Sequence, residues 1–426
     1  MGNENSTAGQ FGKKINNDIV IKWRKVTAEC QFGAREGQAV CAHGSKLYAF
    51  GGVMFLKDQS GDGGQDVETN DLLVFDSKTK KWQQEKCLGE VPSQRSGSCM
   101  TTAGNCLYMF GGLSQLCGWM NDLYKFNLET KHWRKIETSL APSPRDKVLS
   151  VGVGGKVYVF GGFGPAPVED EASVLEDIDE NDEEYEDMEE EELQEMRMQN
   201  AANFTWSNEL FVFDTAAEKW SLLSPSDAMI PTARAAHSLD YLKSEDDQEF
   251  LYVFGGRDSV ARQNDLWRFN LSTNTWESCE NKGCKPQPRS FHASVMVKNR
   301  LIIHGGRGVS NQHFSDFNIY DTSSNEWFQP EAQSDKDVEP PAVGLHSLCV
   351  INDEVYLFGG SSDLDPATGT CTKIYNDLYT IETKDILSGG AVKEPESTEA
   401  ESVPSMLNLK PAANSDSGKN EILSSS

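Results

Sequence analysis

Short apolar runs alternate with clusters of turn residues along this chain, and the alternation returns at regular intervals. Six segments end in a glycine pair after an apolar or aromatic run: KLYAFGG, CLYMFGG, KVYVFGG, FLYVFGG, RLIIHGG and EVYLFGG. Alternating, β-branched and aromatic residues between turn residues favour short β-strands, and no stretch shows a sustained helical period. The pattern predicts an all-β repeat protein.

A second pattern follows the first five glycine pairs: NDLLVFDSKTKKW, NDLYKFNLETKHW, NELFVFDTAAEKW, NDLWRFNLSTNTW and SDFNIYDTSSNEW. In each copy the tryptophan lies twelve positions after the first residue; these are Trp82, Trp133, Trp220, Trp276 and Trp327. The combined glycine-pair and tryptophan pattern resembles kelch repeats over residues 18–383. The resemblance implies a β-propeller built from four-stranded blades.

The sixth copy begins at Asn376 but has no tryptophan after it. At the other end of the chain, the stretch DIVIKWRKV around Trp23 looks like the last strand of a blade without its first three. Closing the ring with this amino-terminal strand would complete the last blade and remove an exposed sheet edge. The sequence therefore predicts a six-bladed propeller.

Several conspicuous residues recur at one place in the repeat, which favours an architectural role over chemistry. One set of arginines precedes the first strand of each blade, and histidines recur about three positions later. His304 replaces a phenylalanine before its glycine pair, and we interpret it as a core histidine. The recurrent residues are Arg35, Arg95, Arg145, Arg234, Arg289, His237, His292 and His346.

Charge and composition mark the segments outside the repeats. Seventeen acidic residues and no basic residue lie between Glu169 and Glu195. Such charge density opposes burial of apolar surface, so we expect an acidic disordered insertion in the third blade, over residues 165–204. We also expect a flexible tail over residues 1–17 and a disordered, Ser-, Glu- and Pro-rich tail over residues 384–426.

The net charge of −27 argues against a nucleic-acid partner, which would need a basic face. No CxxC pair or Cys–His zinc spacing occurs among the ten cysteines, so we expect free thiols, no metal, no cofactor, and a cytoplasmic or nuclear location. The opening MGNENS fits the myristoylation pattern, and Gly2 is a lipidation candidate. A membrane is an expected partner only if Gly2 carries that chain.

Two arginines in FGGRDSVARQND, Arg257 and Arg262, do not belong to the repeat pattern. In an antiparallel blade the loop after the second strand opens on the same face as the loop entering the first strand. That face should therefore gather residues from blades three, four and five: Lys147, Trp206, Arg257, Arg262, Ser290 and Phe291. Guanidinium pairs match the two oxygens of a carboxylate, such as a protein's free carboxy terminus. The alternative is that the arginines pair with local acids such as Asp258 and Asp265.

The stretches PSPRDK, FGGFG, TARAAHS, FGGRDSVARQNDL and PRSFHAS resemble the kelch-domain substrate receptors of cullin-RING ubiquitin ligases that bind carboxy-terminal glycine degrons. In that family the matching residues grip the terminal carboxylate, which implies this role for Lys147, Arg257, Arg262 and Ser290. The pocket wall would be Phe163, Trp206 and Phe291, where Phe163 and Phe291 replace the family's Tyr and Trp. Glycine-ending carboxy termini and ligase components are the implied partners.

Other functions remain open at this stage. The receptors carry a Leu-x-x-x-Cys docking box after the propeller, but no cysteine follows Cys371 here. A scaffold or adaptor that uses another surface is the alternative to a degron receptor. An enzyme is disfavoured, because no Asp or Glu precedes any of the seven histidines by four residues, as iron-binding kelch proteins require. No nucleophile–base arrangement or phosphate loop is seen either.

Overall fold

The computed structural model shows an all-β chain arranged as six blades around a central axis. It describes residues 15–27, 32–57, 64–166, 204–225, 229–280, 282–333 and 338–388. The Gly2 site and residues 167–203, most of the predicted acidic insertion, lie outside the described residues. Within the described residues, a helix with the length and hydropathy of a membrane span is not found.

The amino-terminal segment and the first three blades contain strands β1 to β21. The segment holds β1 (Ile15–Ile21) and β2 (Arg24–Lys25). Blade one holds β3 (Ala39–His43), β4 (Lys46–Phe50), β5 (Val53–Lys57), β6 (Gly64–Glu68), β7 (Leu72–Asp76) and β8 (Lys81–Gln84). Blade two holds β9 (Leu88–Gly89), β10 (Cys99–Ala103), β11 (Cys106–Phe110), β12 (Leu113–Ser114), β13 (Gly118–Trp119), β14 (Leu123–Asn127) and β15 (His132–Ile136). Blade three holds β16 (Leu149–Val153), β17 (Lys156–Phe160), β18 (Phe163–Pro165), β19 (Phe204–Trp206), β20 (Leu210–Asp214) and β21 (Lys219–Leu223).

The last three blades contain strands β22 to β37 and one short helix. Blade four holds β22 (Ser238–Lys243), β23 (Glu249–Arg257), β24 (Arg262–Asn270) and β25 (Thr275–Ser278). Blade five, with its entering strands, holds β26 (Lys282–Gly283), β27 (Arg289–Ser290), β28 (Ala293–Val297), β29 (Arg300–His304), β30 (Arg307–Gly308), β31 (Phe317–Asp321) and β32 (Glu326–Ala332). Blade six holds β33 (Ser347–Ile351), β34 (Glu354–Phe358), β35 (Ser361–Leu364), β36 (Cys371–Ile374) and β37 (Leu378–Glu382), followed by helix α1 (Thr383–Leu387).

The predicted ring closure is confirmed. In blade six, β2 supplies the fourth strand and pairs antiparallel with β37, in the sheet order β33-β34-β37-β2. The sequence did not predict that β1 pairs in parallel with β32 of blade five, so the amino-terminal segment joins two blades. Among the described residues the first strand begins at Ile15, and residue 383, where we predicted the propeller to end, is the first residue of helix α1.

Six tryptophans hold the blades together, each packing on the aromatic residue that precedes the glycine pair of the neighbouring blade. We call the interface between two neighbouring blades a seam. The centroids of the two rings are 4.6–5.7 Å apart at all six seams. Trp23, on the segment that completes blade six, takes this position against His304 of blade five. The pairs are Trp133–Phe50, Trp220–Phe110, Trp276–Phe160, Trp327–Phe254, Trp23–His304 and Trp82–Phe358.

Buried apolar side chains cluster between neighbouring blades, at the seams, rather than within single blades. Among the described residues they form six clusters, each of which joins residues of adjacent blades. The cluster between blades five and six also takes Ile19, Ile21 and Trp23 from the amino-terminal segment and Ile386 from helix α1. The closure of the ring is thus a hydrophobic interface as well as a strand pairing.

The recurrent arginines have the predicted architectural role. Each is almost fully buried and donates hydrogen bonds to the first carbonyl of its blade's glycine pair and to an acid that opens the next strand. Arg234, for example, bonds the carbonyl of Gly255 at 2.9 Å and both carboxylate oxygens of Asp265 at 2.6 and 2.8 Å. The corresponding acids for Arg35, Arg95, Arg145 and Arg289 are Asp71, Asp122, Glu209 and Asp316.

The predicted core position of His304 is also confirmed, and it creates a contact between two buried histidines. Nδ1 of His304 lies 3.0 Å from Nε2 of His346 across the seam between blades five and six. Burial lowers the pKa of His304 to about 4, against an opposing effect of Asp316, and burial also lowers that of His346. Both rings therefore favour the neutral form in the folded state.

We expect Trp23→Ala to destabilise the propeller by about 3–5 kcal/mol, because it empties the seam that closes the ring. Urea unfolding followed by tryptophan fluorescence and circular dichroism measures the change. Leu116→Ala, at an exposed hairpin tip, is the control and should cost less than about 0.5 kcal/mol. A loss for Trp23→Ala as small as that of the control would contradict this account of closure.

We expect His304→Phe to reduce the loss of stability in acid. Since His304 has a lowered pKa in the folded state, its contribution is complete above pH 6.5 and is lost as the pH falls toward 4. Over this range the variant should lose about 1.4 kcal/mol per pH unit less than the wild type, measured by urea unfolding between pH 7.5 and 4.5. Exposed His132→Phe is the control, and equal slopes for the wild type and His304→Phe would refute the assignment.

Candidate functional site

The mouth of the central channel is lined by one residue from each blade, two positions after its recurrent arginine or, in blade six, after Val343. All six residues have a left-handed backbone, with φ between 52° and 66°. In blades two to six, the N–H of this residue donates to the carbonyl of its counterpart in the preceding blade, which gives five successive hydrogen bonds of 2.8–2.9 Å. These bonds join the six residues into a backbone ring at the mouth. Its members are Gly37, Gly97, Lys147, Ala236, Phe291 and Leu345.

Around this ring each blade presents three further positions, joined side by side by β-pairing. The post-arginine position comes directly after the recurrent arginine. The post-glycine position comes directly after the glycine pair. The pre-asparagine position lies two residues before the Asn or Ser that opens the next strand. In blade four these are Ala235, Arg257 and Arg262; in blade five they are Ser290, Arg307 and His313. In blade three they are Asp146, Phe163 and Trp206. Because the pairing recurs while the side chains differ, these positions determine the chemistry of the rim.

Three guanidinium groups meet on the rim of blades four and five. Arg262 donates to Ser290 Oγ at 2.9 Å and to Asn311 Oδ1 at 2.8 Å, and Ser290 pairs through its backbone with Arg307. Burial lowers the pKa of Arg262, and the positive charges of Arg257 and Arg307 lower it further. Within the described ranges, none of the three arginines forms an ion pair. The cluster of Arg257, Arg262 and Arg307, which we call the arginine cluster, therefore carries positive charge that no described residue neutralises by an ion pair.

The local acids are committed to other partners, which contradicts the alternative that they neutralise the two predicted arginines. Asp265 is held by the recurrent Arg234. Asp258 accepts bonds from the Gln263 side chain at 2.7 Å and from the backbone N–H groups of Val260 and Ala261. Burial opposes ionisation of Asp258, but these bonds hold its pKa below the usual value. Asp258 thus shapes the hairpin rather than pairing with the arginine cluster.

Blade three contributes a different surface to the same mouth. Lys147 Nζ bonds the carboxylate of Asp146, which also accepts the indole N–H of Trp119 at 3.1 Å. The ring of Phe163 lies 4.8 Å from that of Trp206 and 5.8 Å from that of Phe204. Lys147 also stands 5.8 Å from the Phe163 ring. The result is an aromatic wall whose cation is already neutralised by Asp146.

Behind the ring, the channel contains a cavity of about 380 Å³ lined by the first strands of all six blades. Its walls are mainly apolar, and Asp240 is a buried carboxyl group among them. Burial raises the pKa of Asp240 to about 7, although it accepts a hydrogen bond from Ser294 of blade five. Among the described residues, no group of three or more His, Cys, Asp or Glu side chains could hold a metal ion.

The hairpins that surround the mouth expose apolar side chains at or near their tips. Leu116 is 88% exposed and Val260 is 89% exposed, in blades two and four. Blades one, three and five present Phe55, Phe204 and Val309 at the corresponding hairpins. Exposed apolar groups around a polar centre are typical of surfaces that bind proteins.

The predicted residues of blades three, four and five lie around one mouth, where Ser290 is fully buried, and Gly2 lies outside the described residues. Their role in binding stays a prediction. Sequence reasoning missed Arg307, even though it follows its glycine pair as Arg257 does in blade four. It also missed Trp119, which occupies the same pre-asparagine position as Trp206. Alignment of the repeats at the glycine pairs and asparagines would have found both. The pairing of Lys147 with Asp146 had no signal in the sequence.

Comparison with known proteins agrees with this architecture. A family model described as the KLHDC2/KLHL20/DRC7 Kelch-repeats domain matches residues 37–202 and 195–387. The chain is 29% identical over 368 residues to Kelch domain-containing protein 1 of Mus musculus, covering 84% of this chain and 82% of that protein. It is 28% identical over 336 residues to Kelch domain-containing protein 3 of Bos taurus, covering 76% and 77%. It is 28% identical over 340 residues to Kelch domain-containing protein 2 of Bos taurus, covering 77% and 76%.

Proposed function

Because this chain belongs to the KLHDC2/KLHL20/DRC7 Kelch-repeats domain family, we propose that its propeller captures the free carboxy terminus of partner proteins. At the coarser level, kelch-domain relatives indicate protein binding as the function of such a propeller. The observation that supports the finer proposal is the arginine cluster, which lies at the channel mouth without an ion-pair partner among the described residues. A terminal carboxylate supplies the missing charge in the paired-oxygen geometry that guanidinium groups prefer.

Arg257 and Arg262 hold the carboxylate in this proposal, and Ser290 orients Arg262 through its hydroxyl group. Lys147 has a smaller part, because Asp146 already neutralises it. Phe163, Trp206 and Phe291 bound the space that the last residues of the ligand enter. Left-handed backbone at Lys147 and Phe291 brings main chain close to the mouth, which favours a terminal glycine over larger residues.

We further propose that the captured protein is delivered to a ubiquitin ligase. The resemblance of the mouth residues to degron receptors supports this step, and cullin-RING components are the expected partners. The exposed hairpin tips around the mouth suit the approach of a protein rather than a small molecule. An adaptor that binds its partners by another surface is the competing function, and it requires no free carboxy terminus.

We expect a peptide that ends in Gly-Gly to bind, and its carboxy-amidated form to lose most of the affinity, since amidation removes the charge. Fluorescence polarisation with labelled peptides measures both dissociation constants. Arg262→Glu should weaken binding of the free-acid peptide by roughly 2–4 kcal/mol, because it puts repulsion in place of a charged hydrogen bond. Arg134→Glu, on the exposed outer strand of blade two, is the control with the same change of charge. Equal affinity of the two peptides would refute carboxylate capture and favour the adaptor.

We expect cells that contain the wild-type protein to degrade a fluorescent reporter ending in Gly-Gly faster than cells with Arg262→Glu. The reason is that degradation requires capture of the reporter's carboxy terminus. Reporter half-life after translation is stopped gives the readout, and Arg134→Glu again serves as the control. Identical half-lives with the wild type and Arg262→Glu would contradict the ligase role while leaving peptide capture intact.

A further inference from the structure

Arg307 extends the arginine cluster into blade five, one blade beyond the pair that the sequence singled out. Its backbone pairs with Ser290 and bridges to His313. Its guanidinium carbon lies 5.2 Å from the centre of the Phe291 ring, so the side chain is held at the channel mouth. Arg262 reaches the same Ser290 from blade four. Ser290 thus contacts the side chain of Arg262 and the backbone of Arg307.

The donors of Arg307 are poorly satisfied. Its Nη2 lies 3.4 Å from the sulfur of Cys371, which is a weak acceptor. Its Nε is buried and has no hydrogen-bond partner within the described part of the chain. A guanidinium group carries five N–H donors, and leaving them without acceptors is costly. The buried Nε is closed to a ligand, so an acceptor from outside would bind the Nη groups, whose partner among the described residues is the weakly accepting sulfur of Cys371.

The charges that face Arg307 do not neutralise the arginine cluster. Glu36 is the acid on the blade-one side; it is attracted by Arg307 but forms no ion pair with it among the described residues, and burial raises its pKa. Asp363 is paired with Lys373 at 2.8 Å. His313 lies beside the cluster, and burial, with Arg307, lowers its pKa to about 4, so it adds no positive charge at neutral pH. Among the described residues, three cations and at most one nearby anion leave a surplus of two positive charges at the cluster.

We propose that Arg307 forms a second anion subsite next to the carboxylate site, so that the preferred ligand carries an acidic side chain on its penultimate residue. This inference rests on the proposed function, since the terminal carboxylate places the ligand on Arg257 and Arg262. One anion then satisfies that pair and the second satisfies Arg307. The ligand class is a protein carboxy terminus of the type Glu-Gly or Asp-Gly.

The position of the two arginines indicates which ligand residue would carry the second anion. Arg262 donates to the hydroxyl group of Ser290, and Ser290 pairs through its backbone with Arg307, so the two arginines are neighbours at the mouth. Consecutive residues of a ligand lie about 3.8 Å apart. We therefore assign the acidic side chain to the residue before the terminal carboxylate, which is the nearest one that can carry it.

The test uses the full chain and four labelled peptides that differ only at the penultimate residue: Gly-Gly, Glu-Gly, Gln-Gly and Lys-Gly. For the wild type, Glu-Gly should bind about tenfold more tightly than Gln-Gly, and Lys-Gly should bind more weakly than Gln-Gly. In Arg307→Gln the ratio between Glu-Gly and Gln-Gly should fall below two. Arg307→Glu should reverse the preference, so that Lys-Gly binds more tightly than Glu-Gly.

Arg134→Gln is the control and should keep the tenfold ratio, because it changes the net charge equally at a site on the outer strand. Comparing ratios rather than single affinities separates the coupling of Arg307 to the ligand from any general weakening of the site. The wild-type comparison of Glu-Gly, Gln-Gly and Lys-Gly needs no variant, so the test survives if Arg307→Gln does not fold.

The outcomes distinguish the subsite from the proposed function. A wild-type ratio below two, or an unchanged ratio in a folded Arg307→Gln, would overturn the second subsite. If the free-acid peptides still bind more tightly than their amidated forms in that case, carboxylate capture stands. If amidation has no effect on any peptide, both proposals fail.

Discussion

The packing of a tryptophan from one blade on the aromatic residue before the glycine pair of the preceding blade is the contact on which this molecule depends. It occurs at all six seams, and the buried clusters follow the same seams. The stability of such a ring depends on the seam where its two ends meet, because an open seam would expose apolar surface and a sheet edge together. Here Trp23 supplies that contact from the amino terminus, while β1 and helix α1 cover the outside of the same seam.

The recurrent arginines provide hydrogen-bond donors for backbone carbonyl groups that are buried at the glycine pairs. Tight backbone at those glycines leaves buried carbonyl groups, and Arg234 or its counterparts supply the missing donors while their own charge is neutralised by an acid such as Asp265. A cation in this position is structural because its partners belong to the same blade. Arg257, Arg262 and Arg307 differ in that their ion-pair partners are lacking within the described residues. The role of an arginine in this fold thus depends on whether an acid of the same blade neutralises it.

Sequence reasoning recovered the blades, the closure and the recurrent arginines, because glycine, tryptophan and arginine recur there for steric and hydrogen-bonding reasons that act locally. It could not predict the parallel pairing of β1 with β32, since a contact between two segments far apart in the sequence leaves no periodic signal. The same limit applies to Asp146, whose bond to Lys147 depends on the exact turn at the mouth. Arg307 is a different case, because its place after the glycine pair was visible in the sequence.

Among the described residues, the rim keeps cations without ion-pair partners, which is energetically unfavourable for the unbound protein. The fold tolerates this arrangement because its stability comes from the packing between the blades. The backbone ring through Lys147 and Phe291 fixes the mouth by main-chain hydrogen bonds, so the rim positions are free to vary without loosening it. Arg257 and Arg307 repel Arg262, and folding leaves this repulsion in place. A ligand that reduced it would gain binding free energy. Negative charge placed at the mouth would relieve that repulsion, which is the physical basis of the proposed preference for an anionic ligand.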